Sequence, residues 1–153
     1  IYQNLTKEIS ESFFHWFFLS QKNRFPEKII LNSKRFYIKS MLGRLGSVNN
    51  FLKKDIIEIY IKKFSKQSIL ASCEDYRAGA SIDLKHHLMD KRKIECPTLV
   101  LWGSNSLVGK NFKPLEVWRK YCKNLKGYAI KGGHYLPEET PKQVALKLTK
   151  FLK

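Results

Sequence analysis

The chain is poor in acidic residues. Its 13 Asp and Glu stand against 29 Lys and Arg, giving a formal net charge of +16 over 153 residues. Such an excess points first to nucleic acid or another anionic surface. The remaining marks of a nucleic-acid binder are absent. The basic residues are spread along the chain, mostly lysines on polar helix faces, with no dense basic run, Gly-Arg repeat or RNA-binding motif. A composition rich in Lys, Ile and Asn also arises from genomic base bias. No nucleic-acid partner is therefore expected. A basic anion- or nucleic-acid-binding module stays as the weakest reading, and the charge retains one milder use, attraction of small anions.

Cysteine is scarce as well. Cys73, Cys96 and Cys122 are widely spaced and form no CxxC pair, which excludes a disulfide scaffold and points to reduced thiols in a cytoplasmic setting. No signal peptide is visible. The aromatic run at 13–19 is far too short to span a bilayer, so no membrane partner is expected. His86-His87 with Asp90 raise the question of a metal site. Neighbouring histidines on a helix point about 100° apart, and no HExxH or Cys/His ladder supports them. They read as surface residues; neither a metal nor another cofactor is expected.

The first 90 residues also lack any strand signal. A helix is expected from 1 to about 20, turning strongly apolar at Phe13-Phe14-His15-Trp16-Phe17-Phe18-Leu19. Aromatics on all sides imply burial on several faces, and the polar atoms of His15 and Trp16 must then find partners. From periodicity alone, a core histidine bonded to a backbone carbonyl is the simpler account. Pro26 should break this segment, with a short helical turn at 27–31. Ser33 should cap a helix ended by Gly43, followed by a polar turn at 46–50. Two further helices are expected, from about 50 to 64 and from 68 to about 88. The latter carries Tyr76 among small residues.

The last third reads differently. Cys96-Pro97-Thr98-Leu99-Val100-Leu101-Trp102-Gly103 is a continuous apolar run ending at glycine, a buried parallel strand. A helix from 114 to 121 follows, then a strand opening at Gly127, then Gly132-Gly133-His134. The two glycines are expected to take backbone angles that a residue with a Cβ resists, presenting His134 outside the end of the sheet. Thr140 and Pro141 should open a final amphipathic helix. Histidine changes charge near neutral pH and serves as a general base. Functional loops of an α/β sheet gather at the carboxyl ends of its strands.

Two parallel strands do not make a viable core alone. Ile1 is also not a natural start residue. The expectation is an α/β chain that forms the C-terminal part of a longer protein. Residues 1–92 would be a helical cap, and 93–153 would hold the last two strands and helices of a parallel sheet.

A helical block before the last strands looks like the cap of an α/β-hydrolase, and the wording is closer than that. His15-Trp16-Phe17-Phe18-Leu19-Ser20-Gln21, Phe25-Pro26-Glu27 and Glu74-Asp75-Tyr76-Arg77-Ala78-Gly79-Ala80 resemble haloacetate dehalogenases, fluoroacetate dehalogenases among them. So do the strand ending at Trp102-Gly103 and the Gly132-Gly133-His134 turn.

The resemblance implies an α/β-hydrolase-fold fragment that cleaves the carbon–halogen bond of a small 2-haloacid. In that family an aspartate forms an ester and a histidine activates the water that hydrolyses it. His134 matches the base. His15, Trp16 and Tyr76 match three donors to the departing halide. Nothing in this chain matches the nucleophile or the arginines that hold the substrate carboxylate. The loop Gly103-Ser104-Asn105-Ser106 carries no aspartate either. Those parts, and the triad acid, would lie upstream of Ile1. The implied partners are the haloacid and the missing N-terminal half of the same protein; a homodimer of the full-length protein is left open. A related capped hydrolase acting on epoxides or esters is the alternative.

Overall fold

The computed structural model describes residues 6–45 and 52–153. The expected polar turn at 46–50 lies outside the described residues. In chain order the elements are α1 (Lys7–Ser12), α2 (Phe14–Leu19), α3 (Phe25–Asn32), α4 (Lys34–Leu45), α5 (Lys54–Lys63), α6 (Lys66–Gly79) and α7 (Ile82–Met89). Then come β1 (Thr98–Gly103), α8 (Leu107–Asn111), α9 (Pro114–Trp118), β2 (Leu125–Ile130), α10 (Leu136–Glu139) and α11 (Pro141–Leu152). They form two compact units, Ile1–Lys39 with Ile57–Lys91 and Ser40–Ile56 with Arg92–Lys153.

The first unit is helical. Thr6 starts α1 by accepting a hydrogen bond from Ile9 N–H at 3.2 Å, and the helix yields to α2 at Phe13 rather than running on to residue 20. Pro26 does not break the chain. It sits in the first turn of α3, where a missing N–H is harmless, so an eight-residue helix stands where a turn was expected. α6 begins at Lys66 rather than at 68, capped by Ser65, which accepts from Ser68 N–H at 3.1 Å. The single helix expected over 68–88 divides at Ala80–Ser81. There the Ser81 hydroxyl donates to Arg77 O at 2.6 Å and competes with helix continuation. Leu19, Ile30, Ile69 and Cys73 form the core of this unit, with Phe18, Tyr37, Phe64 and Tyr76 packed around them. His86 and His87 are exposed on α7, as surface residues should be.

The second unit is built on two strands. β1 and β2 are parallel, in a register running from Thr98↔Leu125 to Gly103↔Ile130. A bridge between Ile94 and Cys122 extends the pairing ahead of both strands. The apolar run read as a strand is one, shortened by two residues because Pro97 cannot donate to the ladder. α8, absent from the sequence reading, is set up by Ser106, whose Oγ accepts from Gly109 N–H at 3.0 Å. Thr140 does not cap α11 through its side chain. Its hydroxyl donates back to Leu136 O at 3.2 Å. α11 leaves Leu146, Leu148 and Leu152 exposed. No helix among the described residues is long and apolar enough to cross a membrane.

Candidate active site

In the second unit the parallel pairing brings the carboxyl ends of β1 and β2 side by side, and the loops leaving them are laced together. Ser104 N–H donates to Ile130 O at 2.9 Å, and Asn105 N–H donates to Gly132 O at 3.0 Å. The glycines act through space rather than through unusual dihedrals, since no described glycine has positive φ. A Cβ on Gly103 would lie 2.0 Å from Gly133 O and 2.5 Å from Gly132 O, so the β1 terminus must be glycine for the histidine loop to pass. Ser106, buried, donates to Gly103 O at 2.7 Å and fixes the turn from below.

His134 leaves this loop on the surface, its ring edge-on to Tyr135 at 5.2 Å between centroids. The backbone on either side is gripped by one carboxylate. Gly133 N–H donates to Glu139 Oε2 at 2.7 Å, and Tyr135 N–H donates to Glu139 Oε1 at 3.0 Å. Tyr135 is tied further by its hydroxyl, which donates to Met41 O at 3.2 Å. Partial desolvation of the ring pushes the His134 pKa below its ordinary value, and the Glu139 charge opposes that in part. The shift favours the neutral imidazole, the form able to take a proton.

In the first unit α2 packs on α6, and three rings from the two helices meet. Tyr76 is edge-on to His15 at 5.9 Å and to Trp16 at 5.8 Å between centroids. Phe13 closes the far side, 6.1 Å from Trp16 and 6.2 Å from His15. His15 is buried, while Trp16 and Tyr76 are half-buried. Residues 60 positions apart in the chain thus offer an imidazole, an indole N–H and a phenol within one patch of side chains.

Three residues engaged around these side chains escaped the sequence reading. Glu139 is an ordinary acid in the first turn of α10 by sequence; its only signal was standing six residues after Gly133. Arg77 and Glu27 belonged to motifs but carried no assigned role. Arg77 Nη2 meets Glu27 Oε1 at 2.7 Å, with the Glu27 side chain only 2 % exposed. Beneath them, burial pushes the Cys73 thiol up to about 11, with the Glu27 carboxylate adding to the shift. Cys73 is a packing residue, not a nucleophile.

No family model matches the chain. It is 30% identical over 155 residues to fluoroacetate dehalogenase of Burkholderia sp., covering 99% of this chain and 51% of that protein. A soluble epoxide hydrolase of Corynebacterium sp. is 27% identical over 141 residues, 90% of this chain and 48% of the relative. Among solved structures, a candidate α/β hydrolase from Nostoc sp. superposes with a TM-score of 0.93 at 36% identity, over 99% of this chain and 53% of that one. The chain belongs to the α/β-hydrolase superfamily. The chain spans about half the length of the curated relatives it matches. Its β1–β2 pair accordingly reads as part of a parallel α/β-hydrolase sheet, and its resemblance to fluoroacetate dehalogenase extends along nearly its whole length.

Proposed function

We propose that this chain is the C-terminal part of a haloacetate dehalogenase, an enzyme that hydrolyses the carbon–halogen bond of a small 2-haloacid. Residues 1–92 form its cap and 93–153 complete its core. The observation that carries the reading is the meeting of His15, Trp16 and Tyr76, in a chain 30% identical to a fluoroacetate dehalogenase. An aspartate on the N-terminal half attacks the carbon bearing the halogen. The C–X bond breaks as the C–O bond forms, and the halide leaves with the electron pair. His15, Trp16 and Tyr76 donate hydrogen bonds to that anion. Fluoride is strongly hydrated and leaves poorly, so fixed donors must replace the water it loses. Neutral His134 then takes a proton from water, which attacks the ester carbonyl and releases the hydroxy acid. The reaction needs neither cofactor nor metal, and its site is cytoplasmic.

The test is halide release by the longer protein, supplied with fluoroacetate or chloroacetate. Trp16→Phe keeps the ring but removes a donor, and should slow fluoroacetate more than chloroacetate. Equal losses on both would argue against a fluoride-stabilising role. The second reading, an epoxide hydrolase, is supported by the Corynebacterium relative. Diol formation from an epoxide without halide release would favour it.

A further inference from the structure

We propose that Arg77 is a positioning residue of the halide site, setting where Tyr76 on α6 stands relative to His15 and Trp16 on α2. The inference rests on the haloacid reading above. Arg77 follows Tyr76 directly, so on one helix the two side chains diverge by about 100°. Tyr76 meets the rings while Arg77 reaches the turn that leaves α2. Its guanidinium makes four hydrogen bonds. Nε and Nη2 donate to Gln21 O at 2.9 and 2.7 Å, Nη2 also donates to Glu27 Oε1 at 2.7 Å, and Nη1 donates to Glu74 Oε1 at 2.7 Å.

The anchored turn is an unusual one. Asn23 and Arg24 both have positive φ, 59° and 53°, a region that residues with a Cβ seldom occupy. Gln21 lies two residues past the end of α2, which carries His15 and Trp16. Glu27, in the first turn of α3, is 1% exposed, and its Oε2 has no hydrogen-bond partner among the described residues. One cation therefore joins the exit of α2, the start of α3 and the helix of Tyr76. Tyr76 itself meets His15 and Trp16 through ring edges, a contact that tolerates sliding. A planar fork sharing one carbonyl oxygen between two donors fixes direction as well as distance.

That precision matters for the chemistry. Each halide donor must stand roughly 3 Å from the anion, and small misplacements in an active site are costly. Fluoride, the anion most dependent on its donors, should feel a shift of Tyr76 most.

The experiment uses the longer protein with Arg77→Met, Arg77→Lys and the double change Arg77→Met with Glu27→Met. The double variant removes the stranded buried carboxylate and is the one designed to stay folded. For each, kcat and KM for fluoroacetate and chloroacetate are measured beside the melting temperature. The double variant should lose roughly tenfold or more in kcat for fluoroacetate, less for chloroacetate, with KM little changed. Arg77→Lys keeps the charge opposite Glu27 without the fork. It should recover melting temperature but not the fluoroacetate rate. A double variant with the original fluoride-to-chloride ratio would overturn the inference, as would losses equal on both substrates. Absence of halide release from the unsubstituted protein would overturn the haloacid reading and this inference with it. The two failures are thus distinct.

Discussion

Glu139 holds the backbone on both sides of His134, its two carboxylate oxygens taking the amides of Gly133 and Tyr135 at 2.7 and 3.0 Å. One side chain thereby fixes the loop and sets part of the electrostatics of the residue it presents. Hydrogen bonds from backbone amides to a carboxylate are among the stronger ones in proteins. Glu139→Ala leaves both amides without that acceptor. It should destabilise the protein by roughly 1–3 kcal/mol, read as a lower denaturation midpoint with unchanged slope.

The same pair gives a pH dependence. His134 titrates below its ordinary 6.5 because its ring is partly desolvated, while the Glu139 charge pulls it back up. The acid limb of kcat/KM should fall below that value, and Glu139→Gln should move it lower still. On stability the sign is equally defined. With its native pKa depressed, His134 binds fewer protons folded than unfolded below that pH, so its contribution falls as pH drops through 6.5. An acid limb moving upward in Glu139→Gln would contradict this account.

Gly103 offers a steric test. The Cβ of Gly103→Ala would meet two backbone oxygens at 2.0 and 2.5 Å, atoms that cannot step aside as a flexible side chain would. The substitution should cost on the order of 1–3 kcal/mol and displace the His134 loop. Thermal or denaturant unfolding reads the first effect, and loss of turnover in the folded fraction reads the second.

The three thiols should differ in reactivity. Cys73 is fully buried with its pKa raised to about 11, and Cys122 is buried, whereas Cys96 is exposed. A brief alkylation of the native longer protein at mildly alkaline pH should leave Cys73 untouched until denaturant is added. Mass mapping of the labelled peptides checks this.

The chain by itself should associate. Leu146 and Leu152 on α11 are 68% and 79% exposed, and Met89 at the end of α7 is 79% exposed. Exposed apolar side chains favour association with other chains. Purified alone, residues 1–153 should bind a hydrophobic dye and form aggregates, and co-expression with the N-terminal half should reverse both. A monomeric chain with one cooperative transition would contradict the expectation.

What the sequence made legible was whatever rested on long-range pattern. The apolar run into Trp102-Gly103, the helical first 90 residues and the glycine turn before His134 each came from periodicity or residue type. Local competition between hydrogen bonds was not legible. The Ser81 hydroxyl taking the Arg77 carbonyl, and Ser65 capping α6 so that it starts at Lys66 rather than at 68, depend on geometry that one-dimensional spacing does not encode. The glycines were identified for the wrong reason. No described glycine has positive φ, and the tight steric constraint falls on Gly103, whose Cβ would meet the backbone oxygens of Gly133 and Gly132.

At the candidate site, the meeting of Tyr76 with His15 and Trp16 was expected through family resemblance rather than from any spacing. The fourfold engagement of Arg77 could not be read at all. It requires the Gln21 carbonyl and Glu27 to lie within reach of a helix 50 residues on.

The central claim is that His134 hydrolyses an ester formed without its help. The most direct measurement is intact-mass analysis of the longer protein carrying His134→Asn after incubation with fluoroacetate. Alkylation needs the nucleophile and the halide donors, whereas turnover also needs the base. The account predicts one carboxymethyl group held stably on an aspartate of the N-terminal half, with a single equivalent of fluoride released. Continued turnover by that variant, or a protein that folds normally yet takes up no adduct and releases no fluoride, would contradict it.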